Sequence, residues 1–558
     1  MRKHYERILR DSESRVQRYL DVQILDESSP FCGGFPKADS LAEPKTAIYR
    51  LTTMTACWLN PDSRYHLEEE LGRRILLALA YIRRSQRPGG YFDLINCNFL
   101  SGPDTAFCAK RLLPVYVYLC RTAEGALPAS PRAKAAAGAL KPRYEEILRD
   151  AADALCRCGF HTPNHRWAIA SVLMLCAKLF GKPECRAAAD AILKEGIDCN
   201  ADGEYAERSA GNYNRINNDA MIMLAAATGD ESYYEPVLRN LEMMLSYIDP
   251  DDSIFTNNST RWDMGKKIYP REYYLEYLYM GWACRRPELL DAANAIMQMV
   301  DRHALRSFDC LIQLMLLPEL VLLEHEGCAV PTNYHRYYES SGIVRCRREG
   351  WSYTILNNSP NFLFFQHGDF CLTVRIGASF CEHRAFVPAL LAPQEGGYTL
   401  HQTMTGWYYL PFAEKPASSD WWQMDNASRE KLYGPDMIFD LAIREAENGL
   451  DIQIVNSGID RAPLRIELAF NAGCRLENEH FMLDGSEGGS VVVKDGTLTA
   501  SRGTRGIQVG PCFAAHNYTA GKEGSMGRMD GCFTAYLTEY STFERRISLR
   551  AVPSRYDQ

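Results

Sequence analysis

The period of the hydrophobic pattern changes once along the chain, near residue 330, and this change limits the fold more than any other feature. Before it, apolar residues recur at helical spacing, as in His66–Gln86, where Leu71, Ile75 and Leu79 share one face. No fixed-period repeat is present, which leaves an α/α toroid or an irregular solenoid as the predicted architecture. With one helix at the N-terminus, about ten helices are predicted, the others lying at 66–86, 104–123, 143–158, 165–180, 212–228, 232–248, 271–283, 286–303 and 308–325.

After residue 340 the period becomes two, and turn signals such as Asp484-Gly485 separate the alternating runs. Segments of this kind predict a large antiparallel β-sandwich. The predicted fold class is therefore α+β and multidomain, with an incomplete α/α toroid at 1–335 followed by a β-sandwich domain at 336–558. The clearest strand signals are at 351–356, 371–376, 450–455, 464–470 and 490–494.

Charge and targeting signals exclude several classes of partner. The chain has 62 Lys+Arg against 70 Asp+Glu, a net charge of -8, so no broad basic face for nucleic acid is expected. The N-terminus is charged throughout, and the apolar run at 311–323 contains Pro318 and Glu319, so neither a secretory signal nor a membrane span is predicted. A cytoplasmic protein is expected. The nineteen cysteines include no CxxC pair, which disfavours structural zinc.

The segment Gly159–Trp167, GFHTPNHRW, carries the strongest chemical signal. Pro163 fits a helix entry, so Asn164 and His165 are predicted in a first helical turn, where backbone N–H groups favour an anion. An amide, an imidazole and the Arg166 guanidinium at that position would suit a carboxylate. The alternative interpretation is that Asn164 only caps the helix and His165 belongs to the core.

Two further polar segments each lead into an apolar helix. Asp202–Asn218 reads DGEYAERSAGNYNRINN, and 256–271 reads TNNSTRWDMGKKIYPR. Any one of these charged side chains, taken alone, is consistent with a solvent-exposed loop. Three such loops preceding helices nevertheless predict that all three share one end of the helical domain. Their candidate binding and catalytic side chains are Tyr205, Glu207, Arg208, Tyr213, Arg215, Arg261 and Trp262.

NHRW followed by DG-x-Y-x-E-x-S-x-x-x-Y resembles the heparinase II/III-like polysaccharide lyases and their alginate-lyase relatives. The resemblance implies a toroid followed by a sandwich, and cleavage of uronic-acid polymers by β-elimination. It implies that Asn164 and His165 neutralise the substrate carboxylate, and that Tyr213 is base, acid or both. A β-domain histidine, His383 or His401, would be a second acid/base group, although this sequence lacks the GHGHxD-like pattern common among the relatives.

The chemistry explains why these residue types are needed. Hydrogen bonds from Asn164 and His165 would stabilise the charge that develops as the C5 proton of a uronate leaves. A tyrosine, with a pKa near ~10, needs positive neighbours to serve as a base, and Arg208 and Arg215 are candidates. Tyr213 is preferred to Tyr205 because it occupies the last position of the motif. The predicted substrate-binding set is Arg166, Trp167, Tyr205, Glu207, Arg208, Arg215, Arg261, Trp262, His401 and Trp407.

The expected partner is a uronic-acid-containing oligosaccharide or polysaccharide, and the sequence leaves the oligomeric state open. No cofactor is required, although His367, Asp369, His383 and His401 are candidates for a divalent metal site. One alternative is a uronyl C5-epimerase, and another is a sugar-binding protein without catalysis. A third is a glycoside hydrolase using paired carboxylates, drawn from Asp104, Glu207, Asp263 and Glu272.

Overall fold

The computed structural model describes residues 1–37, 41–520 and 526–554. Its contacts divide the chain into two compact units, which we call the helical unit (Met1–Tyr247 with Asp252–Val330) and the sheet unit (Ile248–Asp251 with Pro331–Gln558). The boundary between the two units therefore follows Val330. The sequence predicts this boundary after residue 335.

The helical unit is built from α-helices and one short hairpin. Within the described ranges the hairpin strands are β1 (Phe92–Leu94) and β2 (Asn98–Ser101), which pair antiparallel. The helices are α1 (Arg2–Val22), α2 (Pro44–Leu59), α3 (Glu69–Ser85), α4 (Gly102–Ala123), α5 (Pro131–Leu155), α6 (Pro163–Phe180), α7 (Pro183–Leu193), α8 (Tyr213–Thr228), α9 (Tyr234–Leu245), α10 (Tyr274–Ala283), α11 (Pro287–Arg302), α12 (Leu311–Leu316) and α13 (Pro318–Leu322).

The differences from the predicted helices have local causes. α2 was not predicted because it is buried on most sides, so its sequence lacks the amphipathic stripe that marks a surface helix. The predicted helix at 308–325 is two helices, since Pro318 has no N–H to continue α12. α5 begins at Pro131, twelve residues before its predicted start, where the Ser130 side chain accepts from the Ala133 N–H at 3.1 Å.

The described residues of the sheet unit form two nine-stranded sheets. One sheet has the strand order β15-β14-β17-β18-β20-β12-β11-β10-β9, and the other has the order β16-β19-β13-β7-β6-β5-β4-β3 with β8 paired to β7. Among the strands of the described ranges, all pairs are antiparallel except β16 with β19. The strands are β3 (Asn333–Tyr338), β4 (Ile343–Arg348), β5 (Trp351–Leu356), β6 (Leu363–His367), β7 (Phe370–Phe380), β8 (His383–Ala385), β9 (Leu390–Gln394), β10 (Gly397–Tyr409), β11 (Lys431–Ala446), β12 (Gly449–Gly458), β13 (Pro463–Asn471), β14 (Cys474–Glu477), β15 (Met482–Gly485), β16 (Gly489–Val492), β17 (Leu498–Arg502), β18 (Arg505–Gly510), β19 (Cys532–Tyr540) and β20 (Phe543–Pro553).

One apolar core lies between the two sheets. Phe365 and Ile376 of one sheet and Phe439 and Ile452 of the other belong to the same buried cluster. Alternating residues of each strand therefore face this core, which is the packing of a β-sandwich. The predicted order, a helical domain followed by an antiparallel sandwich, is confirmed.

None of the helices in the described ranges is both long and apolar enough to cross a lipid bilayer.

Candidate active site

The first turn of α6 places Asn164 and His165 as the sequence predicts. α6 begins at Pro163 with Thr162 as its N-cap, so Asn164 is not the capping residue. Asn164 is fully buried, and its Nδ2 donates to Glu207 Oε1 and Oε2 at 2.9 and 2.8 Å and to Thr162 Oγ1 at 3.0 Å. The Asn164 Oδ1 is buried and has no hydrogen-bond partner among the described residues. The alternative in which Asn164 is only a cap is therefore wrong.

The loop before α8 carries the second motif and is held in a fixed conformation. Gly203 has a φ of 97°, and a Cβ there would lie 2.3 Å from the Arg239 carbonyl oxygen, so glycine is required. Asp263 accepts from Ser209 Oγ at 2.8 Å and from the Gly211 N–H at 3.0 Å. Ser209 Oγ in turn accepts from the N–H of Tyr213, the first residue of α8, at 3.1 Å.

The three predicted loops meet around Glu207. Glu207 binds Asn164 of α6, and its backbone oxygen accepts from Thr260 Oγ1 of the 256–271 segment at 2.9 Å. Arg261, one residue on, places its Nε 3.2 Å from Glu207 Oε1. Burial raises the pKa of Glu207, and the hydrogen bonds from Asn164 and the charge of Arg261 oppose that rise.

Arg261 connects this carboxylate to the tyrosine. Its guanidinium carbon lies 5.3 Å from the centroid of the Tyr213 ring, within the range of a cation–π contact. Its side chain remains about one-third exposed, so the group is accessible to a ligand. Arg261 is also one of the positive charges that lower the pKa of His165. Asn164, Glu207, Arg261 and Tyr213 thus form one continuous chain of contacts, with His165 beside it.

His165 lies in a partly buried cluster at the start of α6. Its ring packs edge-on against Phe107 at 6.0 Å and against His161 at 5.8 Å. Burial lowers its pKa to about 4, aided by His161, so the imidazole is neutral at pH 7. Lys45 lies 5.2 Å from the Phe107 ring centroid and donates to Asp104 Oδ1 at 2.8 Å.

Sequence reasoning did not find Lys45 as a member of this cluster. It lies at the start of α2, the helix whose pattern gives no amphipathic signal, and no motif connects it to the NHRW segment. Thr162 was also missed, although a threonine directly before a proline at a helix start is a common N-cap signal. Packing of α2 against α4, and of α4 against α6, brings Lys45 to this cluster, whereas the role of Thr162 is local and comes from its hydrogen bond to Asn164.

Several predicted substrate-binding residues are held by protein partners. Tyr205 is fully buried and its hydroxyl donates to Asn218 Oδ1 at 3.1 Å, while burial raises its pKa. Trp167 is also fully buried, and its indole N–H donates to Asp198 Oδ1 at 2.8 Å. Arg166 pairs with Glu195 at 2.9 Å and with Asp198 at 3.3 Å. These contacts belong to the core and its edge and leave no face of Tyr205 or Trp167 for a sugar.

The arginines proposed to assist Tyr213 are also paired. Arg208 lies 3.6 Å from Glu204, and the Arg215 Nε lies 3.2 Å from Glu272. Among the described residues, Arg261 is the cation found against the Tyr213 ring. Trp262 is exposed, with Lys266 4.6 Å from its ring centroid.

The sheet-unit candidates lie on or beside its strands. His401 Nδ1 is 2.7 Å from Asp440 Oδ1, and Lys431 lies 4.0 Å from the Trp407 ring centroid. His383 lies in the short strand β8. His367 is hydrogen-bonded to the Gly506 carbonyl at 2.9 Å, and Asp369 pairs with Arg502. Within the described ranges, no group of three His, Cys, Asp or Glu side chains is arranged to hold a metal ion.

No protein-family model and no curated protein sequence matches the chain. Solved structures do. A Paenibacillus xanthan lyase superposes with a TM-score of 0.56 at 8% identity, over 99% of this chain and 57% of that one. The chain has the heparinase-like polysaccharide lyase fold. The Streptomyces coelicolor A3 chondroitin AC lyase in complex with chondroitin sulphate superposes with a TM-score of 0.55 at 10% identity, over 100% of this chain and 80% of that one. A heparinase III superposes with a TM-score of 0.53 at 10% identity, over 94% of this chain and 79% of that one.

The lyase fold accounts for the two-unit architecture, a helical toroid followed by a β-sandwich. This chain spans little more than half the length of the xanthan lyase, and identities near a tenth establish the fold alone. The chemistry of the site must therefore be argued from the contacts of its own residues.

Proposed function

We propose that the chain is a polysaccharide lyase that cleaves a uronic-acid-containing glycan by β-elimination, with Tyr213 as base and then acid. The observation that carries this proposal is the position of Arg261, which contacts the Tyr213 ring and also pairs with Glu207, the carboxylate that holds Asn164. A phenol beside a cation, an amide and a neutral imidazole is a suitable set for removing a proton next to a carboxylate. The structural likeness to lyases that act on acidic polysaccharides supports the same reaction class.

The proton is transferred in two steps. In the first step Tyr213, with the Arg261 guanidinium against its ring, takes the C5 proton of the uronate as a base. The electron pair left at C5 forms the C4–C5 double bond as the bond from C4 to O4 breaks. The Tyr213 phenol then returns its proton to O4 of the departing sugar, which restores the phenolate and balances the reaction.

The substrate carboxylate is neutralised by groups at the start of α6. His165, neutral at pH 7 because burial lowers its pKa to about 4, donates an N–H without carrying a charge. One N–H of the Asn164 amide stays on Glu207, and the other, which donates to Thr162 Oγ1 in the free protein, turns to the carboxylate when the sugar enters. Arg261 supplies the positive charge that the two neutral donors lack.

The paired carboxylates of a glycoside hydrolase are less well supported, because each candidate acid is already bound. Glu207 holds Asn164, and Asp263 accepts from Ser209 and Gly211 in the core. Asp104 pairs with Lys45, and Glu272 with Arg215. None is left as a general acid without breaking an ion pair or a loop contact. A uronyl C5-epimerase would begin with the same proton abstraction, so the assay must separate it from a lyase.

The experiment is a panel of uronate oligosaccharides incubated with the protein in deuterated buffer, followed by ultraviolet absorbance, reducing ends and deuterium at C5. A lyase increases absorbance and reducing ends together, because each cleavage creates a double bond. Reducing ends alone would identify a hydrolase, and deuterium incorporation without cleavage an epimerase.

Tyr213→Phe provides the test of the mechanism. It retains the ring that Arg261 contacts, so the fold and substrate affinity should be unchanged while kcat falls by about 10²–10⁴-fold. Asn164→Ala and His165→Ala should each lower kcat by about 10²–10³-fold. Full turnover in Tyr213→Phe would remove this residue from the mechanism.

A further inference from the structure

Two cysteine side chains meet where the end of α5 packs against the start of α7. The Cys156 thiol donates to Cys185 Sγ at 3.4 Å. All nineteen cysteines of the chain are free thiols. In the described ranges this is the one pair of cysteines whose sulfur atoms are in hydrogen-bond contact. Neither residue takes part in the proposed reaction.

Both thiols are carried by helix ends whose backbones are fixed. Cys156 is the C-cap of α5, and its N–H donates to the Ala152 carbonyl at 3.1 Å. Cys185 is the third residue of α7, and its N–H donates to the Lys182 carbonyl at 3.2 Å. The packing of the two helices, and not a flexible loop, therefore brings the sulfur atoms together.

An ion pair joins the same two helix ends. Asp153 of α5 accepts from Lys182, the N-cap of α7. Each ion lies three residues before one of the two cysteines, so the ion pair and the thiol pair bridge α5 and α7 side by side. The sulfur atoms of a disulfide are about 2.05 Å apart, so each sulfur needs to move by only about 0.7 Å to form the bond.

The two thiols differ in exposure and in reactivity. Cys156 is half-buried, whereas Cys185 is fully buried. Burial raises the pKa of the Cys185 thiol, aided by the hydrogen bond from Cys156, while the charge of Lys182 opposes the rise. Because the thiolate is the form that attacks a disulfide, the accessible Cys156 is the thiol that reacts first with a dissolved oxidant.

We propose that Cys156 and Cys185 form a redox modification site, which a small disulfide such as oxidised glutathione converts into a disulfide bond between α5 and α7. The Cys156 thiol loses its proton to solvent, attacks one sulfur of the oxidant and releases one glutathione thiolate. The Cys185 thiol loses its proton in turn and attacks the Cys156 sulfur, which closes the protein disulfide and releases the second glutathione. Two protein thiols are oxidised and one glutathione disulfide is reduced to two thiols.

The new bond encloses the whole of α6. The two cysteines are 29 positions apart, and the chain between them contains Asn164 and His165. A cross-link of this span restricts the unfolded chain and thereby stabilises the folded helical unit. Oxidation therefore makes the segment that carries the candidate site harder to unfold.

Oxidation of the full chain with oxidised glutathione, followed by peptide mapping without reduction, tests the proposal. Iodoacetamide first blocks the remaining thiols. Trypsin then places each of the two cysteines in a peptide that contains no other cysteine, 150–157 and 179–186. We expect these two peptides to be linked, with a mass lower by two hydrogen atoms than their sum, and to separate in dithiothreitol. Absence of this linked pair, or linkage of Cys156 to Cys158 or Cys176 in its place, would overturn the proposal.

Matched serine variants assign the thermal effect. Oxidation should raise the Tm of the wild type, followed by the helical circular dichroism signal, by about 5 °C, and dithiothreitol should reverse the rise. Cys156→Ser should lose the rise, whereas Cys158→Ser, the same change two residues along the chain, should keep it. An equal rise in Cys156→Ser, or a linked pair that leaves the Tm unchanged, would contradict the stabilising role of this bond. Neither measurement needs turnover, so both are independent of whether the chain is a lyase.

Discussion

The helical unit and the sheet unit both bury charged and polar side chains, but they satisfy them differently. In the sheet unit, Glu467 accepts from Arg465 and Arg375, and Asp249 accepts from Arg345 and Ser352. Each of these buried ions has two partners or more. The arrangement is that of a structural network, in which the charges stabilise one packing of the strands.

In the helical unit, several buried amides near the candidate site are only partly hydrogen-bonded. Among the described residues, side-chain atoms of Asn164, Asn214, Asn217 and Asn258 are buried without a hydrogen-bond partner. Native proteins leave few such atoms, and they concentrate where a ligand or a reaction supplies the missing partner. Buried side-chain atoms without a partner also occur in the described part of the sheet unit, at Asn357, Asn361, Asn456 and Thr534. What distinguishes the helical unit is that four such amides lie in the three polar segments that form the candidate site.

The largest expected effect breaks the sheet-unit network. Glu467→Ala leaves Arg375 and Arg465 buried without their shared carboxylate, which should cost about 3–5 kcal/mol of unfolding free energy. Urea denaturation followed by circular dichroism measures this change. The surviving folded protein should keep its kcat. A loss of kcat without a loss of stability would contradict the structural role assigned to Glu467.

A matched change in the helical unit should lower kcat and leave the unfolding free energy nearly unchanged. Glu207→Gln keeps the volume of the side chain but weakens its hold on Asn164 and Arg261, so we expect kcat to fall by about 10²-fold through misplacement of these groups. Because burial already raises the pKa of Glu207, loss of its charge should change stability little. Turnover and urea denaturation of the same preparation check both parts. Strong destabilisation with normal kcat would place Glu207 with the structural carboxylates.

The pH dependence of kcat/KM sharpens the role of His165. The pKa of this histidine is lowered to about 4, so the neutral imidazole persists as pH falls through the usual histidine range. Activity that needs the neutral form should therefore decline only as the pH approaches 4. The neighbouring His161, Arg261 and Lys45 also lower the pKa of His165, whereas Asp104 acts in the other direction.

The pH–rate profile is recorded for the wild type, Glu207→Gln and His165→Asn. The acid limb that belongs to His165 should remain in Glu207→Gln and be lost in His165→Asn. If activity instead fell near pH 6.5, and this fall disappeared in His165→Asn, the imidazole would be exposed and the cluster with Phe107 and His161 would not form.

The smallest expected effect separates the two motif tyrosines. Tyr205→Phe removes a single buried hydrogen bond to Asn218, which should cost about 1 kcal/mol of stability and leave kcat nearly unchanged. Thermal denaturation and turnover measure these two quantities. If Tyr205→Phe lost as much turnover as Tyr213→Phe, then the motif's first tyrosine would have to take part in the reaction.

Sequence patterning was sufficient for the main elements of both units. The period-two run at 351–356 coincides with β5, and the apolar stripe in 66–86 contains α3, because amphipathic elements record which face is buried. The helix entry at Pro163 likewise placed Asn164 and His165 in the first turn of α6. α2 is buried on most sides, so its sequence lacks the amphipathic stripe by which a surface helix is recognised.

The sequence by itself determined the order of the two units, the position of the NHRW segment at a helix start and the presence of a tyrosine at the start of α8. Each depends on neighbours in the chain or on a regular period. Only the tertiary structure decided that Arg261, and not Arg208 or Arg215, contacts Tyr213, and that Glu207 holds Asn164. These pairings join residues far apart in sequence, and they depend on how helices and loops pack, which local patterns do not encode.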